Sequence, residues 1–305
     1  MSRWNLIERS ALTIHLLSLV FGLAGLLLVV PHPEWILQLP EYGQRAFDLS
    51  MGNGSVVYMV SGAIAALLMG QRLIGWWRTL LFFVAAVSIS LGGELAGTST
   101  GIPFGEYSYL NGLGYKIQGL VPFTIPLSWF YVGFSSFLLA LTVLRQSRHW
   151  LMVMEAIALG SLILTSWDFV LDPAMTQTLV PFWEWLQPGP FFGMPLQNFG
   201  GWMVTGALFM TVSTILWGAK SLPILSREQL STPLTIYVAN FIFATAMSLG
   251  HGIITPVSLG MLMGLIPALS MWFLADEESE LEADDRVPFA GLRPVTEPSL
   301  EASAK

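Results

Sequence analysis

Eight mainly apolar stretches, at roughly 10–30, 55–71, 79–96, 120–144, 150–171, 199–219, 233–250 and 253–274, make up most of the chain. A helix that crosses a bilayer needs about 20 such residues. Lipid offers no partner to a backbone N–H or C=O, so segments of this length must be helical. The second stretch is short and the seventh follows Pro233, which leaves seven or eight spans open on length alone. Only 11% of the 305 residues are charged and 54% are hydrophobic. A soluble domain carries about 25% charged residues, so a soluble globular protein is excluded. The expected fold is all-α, a polytopic integral membrane bundle of seven to eight helices, with no strands. The first stretch is too long for a signal-peptide core and has no small-x-small site before Pro31, so it reads as a span.

Basic residues orient the bundle. Lys and Arg concentrate in the cytoplasmic loops of membrane proteins. With eight spans and the N-terminus in the cytoplasm, eleven of the thirteen Lys and Arg residues fall inside, and only Arg45 and Lys116 fall outside. Seven spans break that alternation, so eight spans with both termini cytoplasmic, in a bacterial inner membrane or thylakoid, is the expectation. The formal charge of −7 belongs to the end of the chain, where residues 276–305 hold nine acids and three bases. That segment reads as an acidic, disordered cytoplasmic tail behind a single transmembrane catalytic domain, 1–275. No basic stripe exists, so nucleic acid is not an expected partner. The chain has no cysteine, which removes disulfides, thiol catalysis and Cys-ligated metal sites.

Ionisable residues inside a membrane are functional candidates. In the eight-span arrangement Glu94, Asp168 and Asp172 sit at the outer ends of spans three and five, and Glu106, Glu184 and His251 lie in outer loops. Glu155 falls near the inner end. Asp168 and Asp172 are spaced i, i+4 and share a helix face. Pro173 follows, and the residue before a proline disfavours helical geometry, so the helix is expected to close there. One reading is a helix end wetted by its own carboxylates. The other is a carboxyl pair in a partly dry cavity, able to hold a proton near neutrality. The four histidines, His15, His32, His149 and His251, do not cooperate by spacing, so nothing in the sequence supports a metal or haem site built on two of them. No phosphate-binding glycine loop and no hydrolase or dinucleotide motif is present.

Two outer loops combine acids with aromatics: Gly101-Ile-Pro-Phe-Gly-Glu-Tyr-Ser-Tyr109, and Trp183-Glu-Trp185 followed by Gly193-Met-Pro-Leu-Gln-Asn-Phe-Gly-Gly-Trp202. An interfacial aromatic belt explains Trp76, Trp77 and Trp150 well. It explains less well Tyr107, Tyr109, Tyr115, Trp129, Trp183, Trp185 and Trp202, which crowd the acidic side. Aromatic faces stabilise cations.

The run from Gly93-Glu94 through Thr100–Tyr109 to Val121–Trp129 resembles the membrane carotenoid 1′,2′-hydratases of the CruF type. So do Asp168-Phe-Val-Leu-Asp-Pro173, Trp183-Glu-Trp185 and Gly193–Trp202. The resemblance covers about residues 10–275. It implies addition of water, without a cofactor or metal, across the terminal double bond of a ψ end group of γ-carotene or lycopene type. The product is a tertiary alcohol, in some members on the way to myxol-type glycosides. It also implies a carotenoid substrate, membrane lipid, and other carotenoid enzymes such as a glycosyltransferase as partners. The chemistry suits the residues: an alkene needs a strong general acid to become a tertiary cation, then a water and a base. On this reading Asp168 or Asp172 donates the proton, and Glu94 and Glu106 position water or accept a proton. Tyr107, Tyr109, Trp129, Trp185 and Trp202 line the cation pocket, and Asn198 holds water.

Other readings use some of the same residues. A lycopene-type cyclase begins with the same protonation and quenches the cation internally. A prenyltransferase would hold Mg²⁺ on Asp168-x-x-x-Asp172, but lacks a second acidic motif and nearby bases for phosphate. A carotenoid or lipid transporter or binding protein would use Glu94 and Asp168 as a relay, against which stands the lack of an internal repeat.

Overall fold

A computed structural model describes residues 3–147, 149–218 and 222–277. Helix α1 (Arg3–Ala24) continues through a π turn, Gly25–Val29, to the short α2 (Pro33–Leu37). The long α3 (Glu41–Ile74) meets α4 (Trp76–Thr100) at Gly75. Helix α5 (Thr124–Ala140) ends in a 3₁₀ turn, Leu141–Arg145, before α6 (Trp150–Met175). Helices α7 (Leu196–Trp217) and α8 (Arg227–Gly250) follow. The last span is α9 (Thr255–Gly260), a π turn over Met261–Leu265, and α10 (Ile266–Leu274). Among the described residues, eight helices are long and apolar enough to cross a membrane. The choice between seven and eight spans is thereby made for eight, and Pro233 lies inside α8 rather than at its start.

A helix that is apolar on every side belongs in the interior. Helix α5 is that element: it is buried almost throughout and packs against α3, α4, α6, α8 and α10. Its face alternates large rings (Phe130, Phe134, Phe137) with Gly133, Ser135 and Ser136. A serine can be buried there because it returns its hydroxyl to the preceding turn, as Ser136 does to the Val132 carbonyl at 2.8 Å. Helix α1 lies at the periphery, against α3 and α8, and most of its surface is exposed.

One end of the bundle is tied together by basic residues. Arg72 meets Glu8 at 2.7 Å, and Arg227 donates to the carbonyls of Phe273 and Ala275 at 2.7 and 3.1 Å. Arg145 donates to the Leu274 carbonyl at 2.6 Å and pairs with Asp276. These bonds satisfy the last carbonyls of α10, which have no partner within the helix. The acidic tail expected over 276–305 lies outside the described residues from position 278 onward. Asp276 itself is held against the bundle.

The opposite end carries the two aromatic loops, and here the expectation of no strands is corrected. Strand β1 (Tyr107–Tyr109) pairs antiparallel with β4 (Trp183–Trp185), and β2 (Lys116–Ile117) pairs with β3 (Val121–Pro122). The loops fold down onto the helix ends, where their backbone groups need protein partners. Bonds from Leu110 N–H to the Phe182 carbonyl (2.8 Å) and from Leu186 N–H to the Glu106 carbonyl (2.9 Å) lengthen the first ladder. The end expected for α6 at Pro173 is also corrected. The helix runs on to Met175, and the backbone N–H and hydroxyl of Thr176 close it on the Asp172 carbonyl at 3.3 and 3.2 Å. Proline lacks only one N–H, so the last turn survives it.

With no native cysteine, sidedness is directly measurable. Glu184→Cys, at the loop end, and Glu228→Cys, at the basic end, are both at exposed positions. If the basic end is cytoplasmic, an impermeant maleimide added to intact cells labels the first and not the second. The opposite pattern inverts the orientation.

Candidate active site

Four helices and one strand pair meet beneath the loops. Helix α4 brings Glu94, α5 brings Trp129, α6 brings Asp168 and Asp172, and α7 brings Asn198 and Trp202. The β1–β4 ladder brings two tyrosines and two tryptophans. Side chains on a strand alternate between faces, so Tyr107 and Tyr109 face the same way, as do Trp183 and Trp185. The register sets Tyr107 opposite Trp185 and Tyr109 opposite Trp183. Between them Ser108 is opposite Glu184, and Glu184 is exposed.

Two close approaches make this lid possible. A Cβ at Gly97 of α4 would lie 2.8 Å from the Phe104 ring and 3.1 Å from the Tyr107 hydroxyl. A Cβ at Gly201 of α7 would meet the Phe104 ring and lie 2.8 Å from the Pro103 carbonyl oxygen. The two glycines let the loop wedge Phe104 between α4 and α7. Gln197 donates to the Gly101 carbonyl (2.9 Å), and Lys116 to the Tyr109 carbonyl (2.5 Å).

Glu94 is buried and receives three hydrogen bonds. Trp129 donates to Oε1 at 2.8 Å, Tyr109 to Oε2 at 2.8 Å, and Tyr107 also to Oε2. An indole N–H can only donate, so both Glu94 oxygens act as acceptors, Oε1 from Trp129 and Oε2 from the tyrosines. Burial first, and then the Glu94 charge, push both phenols well above their ordinary range, so they stay protonated and keep donating.

Asp168 and Asp172 are each buried, and one amide serves both. Asn198 Nδ2 donates to Asp168 Oδ2 at 2.9 Å and to Asp172 Oδ2 at 3.1 Å. Trp183 donates to the other oxygen of Asp172. Met194 Sδ lies 2.9 Å from the same Asn198 nitrogen. Trp202 stacks on Trp129 at 3.7 Å between ring centres, tilted 16°, and meets Trp167 edge-on at 5.9 Å. The Trp185 indole N–H is buried without an acceptor among the described residues, and Trp185 lines the pocket.

These side chains enclose a pocket of about 60 Å³ that also touches Ser128, Phe104 and Leu171. That is room for a few water molecules. Beside it lies a second, far larger and almost wholly apolar cavity of about 790 Å³ between α1 and α3. Tyr58, Met59, Leu171 and Trp183 border both.

Nine of the ten proposed site residues therefore converge. Glu106 does not: its side chain is exposed and outside the pocket, although its carbonyl holds the ladder. Trp129 comes from the central helix rather than from a loop. His251 turns Nδ1 to the Met247 carbonyl at 2.7 Å and secures the end of α8. His15 is buried between the Tyr58 carbonyl (2.8 Å) and Asn240 (3.0 Å). Among the described residues, no group of three His, Asp or Glu side chains is placed to hold one metal ion. Sequence reasoning left Trp183 without a role, yet it bonds Asp172. The signal was the Tyr-x-Tyr and Trp-x-Trp alternation, which has the two-residue period of strands.

The architecture defines a class: a polytopic helical membrane protein with a buried carboxyl and aromatic pocket at one end. The chain belongs to the family of carotenoid biosynthesis proteins, which matches residues 54–267 and so includes every residue lining the pocket. It is also similar to the bisanhydrobacterioruberin hydratase of Haloarcula japonica, 35% identical over 131 residues, which is 43% of each chain. The chain thus matches less than half the length of that curated relative. No solved structure matches it.

The wedge is testable with a matched pair of substitutions. A Cβ at Gly200 meets nothing within 4 Å, unlike one at Gly201. Gly201→Ala is expected to destabilise the loop by about 1–3 kcal/mol through overpacking, read as a lowered Tm in detergent. Gly200→Ala leaves Tm unchanged.

Proposed function

We propose that the chain hydrates the terminal 1′,2′ double bond of a carotenoid ψ end group, of γ-carotene or lycopene type, to a tertiary alcohol. The observation that carries this reading is the division of labour among the three buried carboxyls. One, Glu94, is saturated with donors. The other two share the Asn198 amide, with Trp183 on Asp172, in a small pocket lined by aromatic side chains.

In the proposed mechanism the Asp168–Asp172 pair holds one proton between its carboxyls. One of them transfers it to C2′ of the alkene, the π pair forms the new C–H bond, and C1′ becomes a tertiary cation. The rings of Trp129, Trp202 and the two tyrosines face that charge, a contact worth about 2 kcal/mol or more when desolvated, and ionised Glu94 adds its field. Water then forms the C1′–O bond. The proton it releases returns to the aspartate pair, directly or by way of Glu94, which resets the site. The sum is alkene plus water to alcohol, with nothing oxidised or reduced. The unpartnered Trp185 N–H suits the oxygen of the incoming water. The hydratase name of the similar haloarchaeal protein supports the same reaction class. The tertiary hydroxyl is a handle for a later transferase, such as a glycosyltransferase.

The test is pigment analysis in a bacterium that accumulates lycopene or γ-carotene, grown in ¹⁸O-labelled water. The expected product is heavier by one labelled water. Asp168→Asn, Asp172→Asn and Glu94→Gln should each cut its yield by ~10²-fold or more, the usual contribution of a general acid or base. Glu106→Gln, at an exposed position, should stay close to the parent protein. Full yield from both Asn variants at normal membrane levels removes the acid assignment. A pigment of unchanged mass replaces hydration with cyclisation.

A further inference from the structure

We infer that the apolar cleft between α1 and α3 binds the polyene chain of the substrate, which slides in sideways from the lipid while its end group turns into the carboxyl pocket. The inference rests on the hydratase reading for the identity of the chain and on the geometry for its place.

Three observations carry it. The first is adjacency: Tyr58, Met59, Leu171 and Trp183 line both cavities, so a molecule filling the cleft lies directly against the side chains that also line the carboxyl pocket. Trp183 is the hinge of the two, since its ring borders the cleft and its N–H holds Asp172. The second is chemistry. The cleft has about 790 Å³, within the usual range for a small-molecule site, and among the described residues no Asp, Glu, Lys, Arg or His lines it. Its few polar groups include Ser18, Ser50, Asn53 and Ser55, with nothing to hold a charged headgroup. The third is shape. The walls run from Ile14 to Val29 on the first span and from Ala46 to Met59 on α3. At 1.5 Å per residue each is about 20 Å long, roughly parallel to the bilayer normal. A carotenoid is a rigid hydrocarbon rod of about the thickness of the ~30 Å hydrocarbon core, so a 20 Å groove along that direction holds most of it.

Access from the side follows from exposure of the rim. Leu17, Phe21 and Leu49 line the cleft and are 63%, 61% and 67% exposed. In a membrane those faces touch acyl chains. A water-insoluble substrate dissolved in the bilayer reaches the groove without crossing an aqueous phase. The 60 Å³ pocket beyond it admits only the reacting tip.

The absence of native cysteine provides a direct test on binding rather than turnover. Ser18→Cys and Ser50→Cys place a thiol on each wall of the cleft, and Ser88→Cys places one at an exposed position of α4 away from it. Each protein is reconstituted in liposomes, and its reaction with N-ethylmaleimide is timed with and without lycopene. The expected result is labelling at least fivefold slower at positions 18 and 50 with lycopene, and unchanged at 88. Equal rates at 18 and 50, as expected if acyl chains of the liposome fill the groove, overturn the inference. So does equal slowing at all three positions. Product analysis on the same samples separates the two proposals. Hydration without protection removes the cleft and leaves the hydratase reading, whereas protection without hydration does the reverse.

Discussion

Placing a carboxyl group inside a membrane protein is costly unless its charge is met by hydrogen-bond donors, and Glu94 is where this chain meets that cost. Its partners come from separate parts of the sequence: Trp129 from the central helix, Tyr107 and Tyr109 from a loop strand. Each donor in turn demands its own support. Trp129 can reach Glu94 because α5 is at the centre of the bundle, against α4. The tyrosines can reach it because β4 holds β1 in register and because Gly97 and Gly201 leave room for Phe104. The lid, the ladder and the small-residue faces of α4 and α7 are thus consequences of one buried acid.

The aspartate pair is built on the opposite principle. Glu94 has three donors for one carboxyl, whereas Asp168 and Asp172 divide the Asn198 amide between them, with Trp183 on the far oxygen of Asp172. An i, i+4 pair on one helix cannot separate its charges by rotating away, since both side chains lean over the same face. A donor-poor pair beside a donor-rich carboxylate is the arrangement on which the proposed acid and base roles rest.

Much of this was legible in the sequence, for reasons that differ by residue. The spans could be read because length and hydropathy leave little freedom to a chain in lipid. Glu94, Asp168 and Asp172 stood out because an ionisable residue is conspicuous among leucines and phenylalanines. Glu106 was grouped with them because it shares a loop with Tyr107 and Tyr109. Position in a loop does not say which face a side chain takes, and in a strand neighbours take opposite faces. The same alternation exposes Glu184 between the two inward tryptophans. Had the loop segments been read as strands, the outward placement of both Glu106 and Glu184 would have followed from the two-residue period alone. The cleft between α1 and α3 was not legible at all. Its walls are ordinary apolar helix, and a cavity is a property of how elements from distant parts of the chain pack together, which no residue pattern on any one of them encodes.

On the proposed reading the two cavities divide a single physical problem. A long hydrocarbon must be held by contacts that are weak one by one and numerous together, which calls for a large apolar groove with no preferred orientation for charge. A cation formed at its tip needs the reverse, a small site of fixed dipoles and ring faces that does not reorganise as charge develops. Merging the two would expose the carboxyls to lipid or admit bulk water to the groove. In this chain Tyr58, Met59, Leu171 and Trp183 are shared by the two linings. Trp183 belongs to both linings and has its N–H on Asp172, so one residue ties the wall of the groove to the carboxyl that the proposed reaction uses.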